Sequence, residues 1–347
     1  MSKFLPLWIG MLMGLCFVSC EHQELCYDHE PHAERVEYKL ELSFDCEWEY
    51  NVETHVDWEQ VWKPEYGISY DDIRPKEPEG VRVHIFNEDD ETETIRNLTK
   101  EKSTIHFSDE GHYDLLFYNN DTEYIVFEGL ESFNDAYATT RGVNRNTYRG
   151  NSLKTRGGEE VTVNPPDMLF GAYVNDLYVE KSTQTDTMTV TLKPLVYTYL
   201  IRYEVEEGAD YISLARGALA GMARGVYLGN GRTVKEEATM MFDCNTIGDF
   251  GVQALVKSFG IPDYPNPNYS RGPQQFCLNL EAKLKNGSLQ QFEFDITDQI
   301  EKQPHGGVIV VQVKSIFEGM SGGGFDIGVD GWGDAIDVPL SGNDKEK

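Results

Sequence analysis

Alternation of apolar and polar residues runs through most of this chain, and it is the feature that most limits the possible fold. Residues 36–44 read VEYKLELSF, in which every second side chain is apolar. A period of two places one face of a β-strand against a core and the other face in water. Similar segments recur between clusters of Gly, Asn, Asp and Pro, which are residues of turns. The chain is therefore predicted to be all-β.

Further strands are expected throughout the chain, whereas helices are expected to be short. The expected strands are 81–86, 104–107, 111–118, 124–127, 187–205, 226–242, 252–259, 275–283, 289–296 and 307–317. Pro194 should break the long segment 187–205, because proline cannot donate a backbone hydrogen bond within a sheet. Residues 210–222 have helical spacing but contain two glycines, so we expect a short helix or a loop there.

Chain length and strand spacing together predict two domains. A chain of 347 residues fits two domains, and short strands at this spacing are typical of β-sandwiches. We place an N-terminal β-sandwich at 36–232 and a C-terminal β-sandwich at 233–340. The segment 131–163 is poor in aliphatic residues, so we interpret it as a long surface insertion. A boundary within 150–165 is the alternative division.

The formal net charge of −29 narrows the possible partners. Nucleic-acid binding needs a basic face, and electrostatic docking on anionic lipid needs clustered Lys and Arg, so both are disfavoured. The sequence is 40% hydrophobic and 12% aromatic, which is too apolar for a disordered acidic protein. These numbers indicate a folded, highly soluble protein with no nucleic-acid partner.

The N-terminal twenty residues predict export and membrane attachment. Lys3 precedes an apolar stretch at 4–18 that is too short to span a membrane and has the length of a signal-peptide core. The stretch ends in Phe-Val-Ser-Cys, which resembles a bacterial lipoprotein box with Cys20 as its cysteine. This resemblance implies a signal peptide at 1–19, acylation of Cys20 and attachment to the outer membrane. An ordinary signal peptide with a chance cysteine is the alternative.

A polar tether at 20–35 is expected to follow the lipidated cysteine. Acidic residues at 21 and 24 resemble the export signals that send lipoproteins of some Gram-negative anaerobes to the cell exterior. The tether also contains Cys26 and three histidines, which are residue types that bind metals. A segment without fixed geometry does not hold such ligands in place, so we predict no metal site and no cofactor.

Four cysteines remain after Cys16 and Cys20 are set aside, and they are candidates for two disulfides in an oxidising compartment. Four cysteines allow three pairings. The pairing that stays local in sequence joins Cys26 to Cys46 and Cys244 to Cys277. Unpaired buried thiols are the alternative, and the sequence does not decide between them.

An aromatic cluster suggests a ligand site. Trp48, Trp58 and Trp62 lie within fifteen residues among tyrosines and carboxylates, a combination that can stack on sugars and bind their hydroxyls. They are candidate glycan contacts, and the alternative is that they close the edge of a sandwich. The sequence contains none of the G-x-S-x-G, H-E-x-x-H or P-loop motifs, and we expect no enzymatic activity.

Three motifs resemble a known family. Residues 25–32 read LCYDHEPH, 111–120 read GHYDLLFYNN, and 192–205 read LKPLVYTYLIRYEV. Together with the lipoprotein box they resemble an uncharacterised lipoprotein family of the Bacteroides group related to fimbrillins. The resemblance implies two tandem β-sandwiches of transthyretin-like topology in a fimbrial or adhesion component, such as an anchor or a tip subunit. It also implies fimbrial subunits as partners, bound by strand exchange.

Two questions stay open from the sequence. A carbohydrate-binding lipoprotein of a glycan uptake system is the alternative function. Residues 325–340 alternate like a strand after a glycine-rich run, and they are expected either to complete the second sandwich or to be donated to a neighbouring subunit.

Overall fold

The structure is a computed structural model that describes residues 36–51, 53–87, 92–100, 102–143, 161–182, 184–248, 250–265 and 276–317. The predictions for the signal peptide, Cys20, the tether with Cys26, and the strand at 325–340 lie outside the described residues.

The described residues fold almost entirely into β-strands. In chain order these are β1 (Val36–Phe44), β2 (Glu49–Asn51), β3 (Val56–Asp57), β4 (Val81–Asn87), β5 (Thr92–Leu98), β6 (Thr104–Phe107), β7 (Gly111–Asn119), β8 (Ile125–Glu128), β9 (Tyr137–Thr140), β10 (Val161–Val163), β11 (Phe170–Val179), β12 (Asp186–Pro194), β13 (Tyr197–Glu207), β14 (Ile212–Ala223), β15 (Gly225–Tyr227), β16 (Glu237–Ile247), β17 (Gly251–Ser258), β18 (Cys277–Leu284), β19 (Leu289–Asp295) and β20 (Gly307–Ser315). The α-helices are α1 (Trp58–Val61), α2 (Tyr70–Ile73) and α3 (Thr297–Lys302). The all-β prediction is confirmed.

The first sandwich is a seven-stranded sheet that folds over itself. Its strand order is β5-β4-β7-β11-β12-β1-β6, and β1 pairs with β12 in parallel. The link between β11 and β12 is only two residue pairs long, which allows the two parts of the sheet to turn towards each other. Leu40, Val83, Leu115 and Leu192 come from different strands of the two parts and meet in one buried core. A sheet that closes on its own apolar face in this way forms a sandwich.

The second sandwich is built in the same manner from β13, β14 and β16 to β20. Its order is β19-β18-β14-β16-β17-β13-β20, and β10 joins it by pairing with β16. Strand β16 belongs to both parts, because its first residues pair with β14 and its last three pair with β17. Tyr203, Leu219, Leu280 and Ile309 are completely buried in the resulting core.

The change from one sheet to the other falls between Pro194 and Tyr197, where β12 ends and β13 begins. Pro194 ends its strand as expected from the sequence. The predicted domain boundary at 232/233 lies among strands that already belong to the second sheet, and the division into 36–232 and 233–340 stays a prediction.

A third apolar cluster lies between the two sandwiches and corrects the surface insertion predicted at 131–163. Phe133, Ala136 and Ala138 are buried there, and β9 pairs with β8 and β15 in a small sheet. The same cluster takes Leu116 from β7 of the first sheet and Phe259, which directly follows β17 of the second. Part of the predicted insertion is therefore internal and not on the surface. Its polar composition did not indicate this, because short side chains can fill a tightly packed sheet.

Strand β14 is a second correction, since residues 210–222 were expected to be a helix or loop. Gly217 is accommodated in the strand because a Cβ there would lie 2.2 Å from the Phe242 ring and 2.7 Å from the Tyr203 hydroxyl. The glycine thus provides room for core rings of neighbouring strands rather than marking a turn.

Candidate functional site

The aromatic residues predicted to contact glycans form a compact layer, which we call the aromatic cap and define as residues 48–73. Trp48, Trp58 and Trp62 lie within 5.6–6.1 Å of one another, measured between ring centroids. Tyr66 packs edge-on against Trp62 at 4.7 Å, and Tyr70 stacks on Trp48 at 6.3 Å. Burial raises the pKa of both tyrosines to about 12, so their phenols are neutral.

The cap covers the outer face of β13 and β20. Leu200 and Val308 are buried beneath its rings, and Val310 packs beside them. Arg202 is 5% exposed, and its guanidinium lies 5.5 Å from the Tyr66 ring and 4.1 Å from the Phe250 ring. Cation–π contacts of this kind let a buried arginine sit among aromatic groups. A segment between two strands of the first sheet thereby forms part of the second sandwich.

The glycan assignment is wrong for Trp48 and Trp58 in this arrangement. Each is only 3% exposed, so neither ring offers a face to a sugar. Trp62 is half-buried and donates its indole N–H to the carbonyl of Ile68 at 2.8 Å. The alternative considered for this cluster, closure of a sandwich, is the one that the structure supports.

A cleft with charged walls opens where the cap, β12 and the second sheet meet, and we call it the junction cleft. His305 lies at its centre, 2.8 Å from the Glu49 carboxylate through Nδ1 and stacked on the Tyr197 ring at 4.8 Å. Tyr264 meets the imidazole edge-on at 5.6 Å. The hydrogen bond from His305 holds the pKa of Glu49 below its usual value. Lys193 lies in the cleft wall close enough to add to this effect.

The junction cleft has two adjoining parts. The larger measures about 550 Å³ and the smaller about 230 Å³, and both are bordered by Lys193, Tyr197 and His305. Aromatic faces beside a cation and a carboxylate suit the binding of a polar ligand or a loop of another protein. Sequence reasoning missed this site. The signals available were the Pro194 break and the His-Gly-Gly sequence at the start of β20, but nothing in the sequence shows that they meet.

The close packing of the aromatic cap beside the junction cleft depends on Gly306. Its φ is +94°, and a Cβ there would lie 2.4 Å from both Trp48 Nε1 and the carbonyl oxygen of Thr198. Trp48 Nε1 donates to the neighbouring carbonyl of His305 at 3.2 Å. The indole can reach that carbonyl only because residue 306 has no side chain.

The cysteines do not pair as the local scheme predicted. Cys244 and Cys277 are thiols, and they lie on opposite sides of β14, facing Ala215 and Ala220 respectively. Five residues of strand separate those positions by about 17 Å, whereas a disulfide needs Cα atoms within about 7 Å. The Cys244–Cys277 bond is therefore wrong within one chain. Cys46 is also a thiol, and its predicted partner Cys26 lies outside the described residues.

Burial raises the pKa of Cys244 and of Cys46. A thiol with a raised pKa carries little thiolate at neutral pH and is a poor nucleophile and metal ligand. Within the described ranges no three His, Cys, Asp or Glu side chains are grouped so as to hold a metal ion. The same residues include no helix that is both long and apolar enough to cross a bilayer.

Comparison with known proteins adds a family and a fold. A family model described as Domain of unknown function (DUF5119) matches residues 41–243. A relative from Bacteroides ovatus, named as a candidate fimbrium anchoring subunit, Fim4B, is 23% identical over 305 residues, which are 79% of this chain and 89% of the relative.

Two solved structures, from Bacteroides ovatus and Porphyromonas gingivalis, are among those that match this chain. A crystal structure of an adhesin candidate from Bacteroides ovatus has a TM-score of 0.57 at 20% identity, and the match covers 85% of this chain and 97% of that one. The fimbrial anchor protein Mfa2 from Porphyromonas gingivalis has a TM-score of 0.44 at 10% identity, over 80% of this chain and 90% of that one. The first of these shows that the fold is shared over 85% of this chain.

Proposed function

This chain belongs to the family described as Domain of unknown function (DUF5119), and we propose that it is a non-enzymatic, surface-exposed lipoprotein that acts as an accessory component of fimbriae, most specifically as their anchor. The observation that carries this proposal is the alignment with the candidate fimbrium anchoring subunit, which covers 89% of that protein. A match to one sandwich would show only a shared module. A match over nearly the whole relative supports a shared role.

An anchor needs a firm link to the membrane, and we assign that link to Cys20. Two or three acyl chains, at about 0.8 kcal/mol per buried methylene, hold a soluble domain on a bilayer where one chain would not. The tether at 20–35 then separates the lipid from β1, which begins at Val36. We place the protein on the outer membrane with its sandwiches facing the cell exterior.

An anchor also needs a surface for the fibre, and we assign this to the edges of the sheets. Among the described strands, the candidates are β5 and β6, which flank the first sheet, and β19, which flanks one side of the second. Edge strands present unpaired backbone groups that a strand of a fimbrial subunit can extend. Ile95 of β5 is 47% exposed and would add apolar contact to such pairing.

The anchoring role is tested in the bacterium that makes the protein. The gene is deleted and restored with the wild-type sequence, with Cys20→Ala or with Cys16→Ala, and fimbriae are counted on cells and in the medium. We expect deletion and Cys20→Ala to release at least tenfold more fimbrial material into the medium. Cys16→Ala is the matched control, because it alters a cysteine of the signal segment and leaves Cys20 in place.

Two outcomes contradict this assignment. Fimbriae that stay attached in the deletion strain would show that another protein anchors them. Attached fimbriae together with poor growth on one polysaccharide would favour the carbohydrate-binding alternative. Burial of Trp48 and Trp58 speaks against two of the three glycan contacts on which that alternative was based.

A further inference from the structure

Strand β20 contains the most apolar stretch of the described sequence. Residues 308–313 read VIVVQV, without charge, proline or glycine. Six-residue segments of this composition pair readily with copies of themselves when an edge is open to them. Among the described strands β20 is the last on its side of the second sheet, with β13 as its neighbour in the parallel direction. Its outward backbone groups are thus a hazard for self-association unless something occupies them.

Two glutamine side chains occupy these outward groups. The Val308 N–H donates to Gln303 Oε1 at 2.8 Å, and Gln303 Nε2 donates to the Val308 carbonyl at 3.2 Å. The Val310 N–H donates to Gln299 Oε1 at 3.0 Å, and Gln299 Nε2 donates to the Val310 carbonyl at 2.9 Å. Each side-chain amide therefore satisfies one residue of β20 as a peptide group of a neighbouring strand would.

The spacing of the two glutamines fits the strand. Residues four apart at the pitch of an α-helix are separated by about 6 Å along its axis. Val308 and Val310 are separated by about 6.6 Å along a strand, so the two amides meet alternate residues without distortion. Ile300 of α3 is completely buried in the second core, which holds the helix beside β20.

Gly307 provides the space that Gln303 needs. A Cβ at position 307 would lie 2.0 Å from Gln303 Oε1 and 2.6 Å from its Cδ. The position before Val308 is thus shaped around the glutamine amide. A side chain at position 307 would displace the Gln303 amide from its place beside Val308.

We propose that Gln299 and Gln303 form an edge cap that closes the 308–310 part of β20 to strand addition by a second copy of this chain. A second copy is the relevant partner because an identical VIVVQV segment is the best match for this edge. This edge cap does not depend on the proposed fimbrial role. It concerns self-association at β20, whatever partner the protein binds elsewhere.

The test compares a double variant with a control of the same composition. Gln299→Ala combined with Gln303→Ala removes both amides, whereas Gln60→Ala combined with Gln184→Ala removes two exposed glutamines that lie outside α3 and do not hydrogen-bond to the β20 backbone. Mass is measured by light scattering after size exclusion over a hundredfold range of concentration. We expect the wild type and the control to keep the mass of one chain. We expect the double variant to form dimers or larger species as concentration rises.

Hydrogen exchange gives a second readout that requires no double variant. In the wild type the amides of Val308 and Val310 should exchange as slowly as those of central strands. Gln303→Ala should speed exchange at Val308 at least tenfold with less effect at Val310, and Gln299→Ala should do the reverse. A folded double variant with the mass of one chain throughout would overturn the proposal. So would fast exchange of both amides in the wild type.

Discussion

At the scale of single residues, the contact between Trp48 and Gly306 allows a test of how the aromatic cap packs on the second sandwich. Gly306→Ala places a methyl group against Trp48 Nε1 and the Thr198 carbonyl, in a backbone conformation with φ of +94°. We expect the free energy of unfolding to fall by about 2–4 kcal/mol, from backbone strain and forced repacking together. Chemical denaturation measures this change.

Gly287→Ala is the matched control for that prediction. Gly287 has φ of +85°, but a Cβ there meets nothing within 4 Å. Backbone strain alone should cost about 1–2 kcal/mol. Equal losses for the two variants would show that the indole does not depend on the space at residue 306.

The pair formed by Glu49 and His305 predicts a dependence of stability on pH. The pKa of Glu49 lies below its usual 4.5, first because of the hydrogen bond from His305. Since the folded protein binds the proton of this carboxyl less readily than the unfolded chain, the interaction stabilises the fold above about pH 4.5. That contribution is lost as the pH falls through the folded pKa.

Glu49→Gln should therefore lower the melting temperature at pH 7 and narrow its difference from the wild type below pH 4. Thermal melts of both proteins between pH 3 and pH 7 measure this difference. Glu47→Gln, at an exposed neighbouring position, is the control and should track the wild type. A constant difference between wild type and Glu49→Gln across the range would contradict the role given to His305.

At the scale of elements, the aromatic cap is expected to act as structural core. Trp48 is 3% exposed, stacks on Tyr70 and lies over the β13–β20 face. Trp48→Ala should cost about 3–5 kcal/mol, the usual loss for a buried large aromatic side chain. It should also open residues 48–73 to proteolysis, as limited digestion with mass spectrometry would show.

Tyr178→Ala removes an aromatic side chain that is 52% exposed and serves as the control. Its effect on stability should stay within about 0.5 kcal/mol. If Trp48→Ala were equally mild and instead abolished binding to a polysaccharide, the cap would be a ligand site after all.

Strands were predictable from the sequence where apolar and polar side chains alternate, with one face of the strand buried and the other exposed. The alternation in VEYKLELSF predicts 36–44, and β1 has those bounds. Strand β14 escaped prediction because it is apolar on both faces along much of its length, and an apolar run with small residues has no period of two. Strand β11 was missed because Asp176 has φ of +56° and the register shifts there, which interrupts the alternation.

The candidate site was less predictable than the strands. Glu49, the neighbouring residues Lys193 and Tyr197, and His305 come from three separate parts of the chain. Their meeting depends on how the cap folds back over the second sheet, which is a tertiary contact without a local pattern. The tryptophan cluster was visible in the sequence, but composition alone does not separate a buried aromatic layer from an exposed sugar platform.

At the scale of the whole molecule, one chain segment and one apolar cluster link the sandwiches. The aromatic cap belongs to the first sheet in sequence and to the second in packing. The third apolar cluster, which lies between the sandwiches and which we call the bridging cluster, combines residues of both. It takes Leu116 and Tyr118 from β7, and Leu195, Ala223 and Phe259 from the region of the second sheet. Interfaces between domains are often small and polar, which permits independent motion. Here the contacts between the sandwiches are apolar and buried, and we expect both to unfold together.

Phe259→Ala tests this coupling. Phe259 is completely buried and belongs to the bridging cluster rather than to either sandwich core. Differential scanning calorimetry should give one transition for the wild type, with equal calorimetric and van 't Hoff enthalpies. Loss of the ring should cost about 3–5 kcal/mol and separate the transition into two. Ile85→Ala, in the core of the first sandwich, should lower the transition temperature while leaving a single transition. Two transitions in the wild type would show that the sandwiches are thermodynamically independent, and the bridge would then be a contact without coupling.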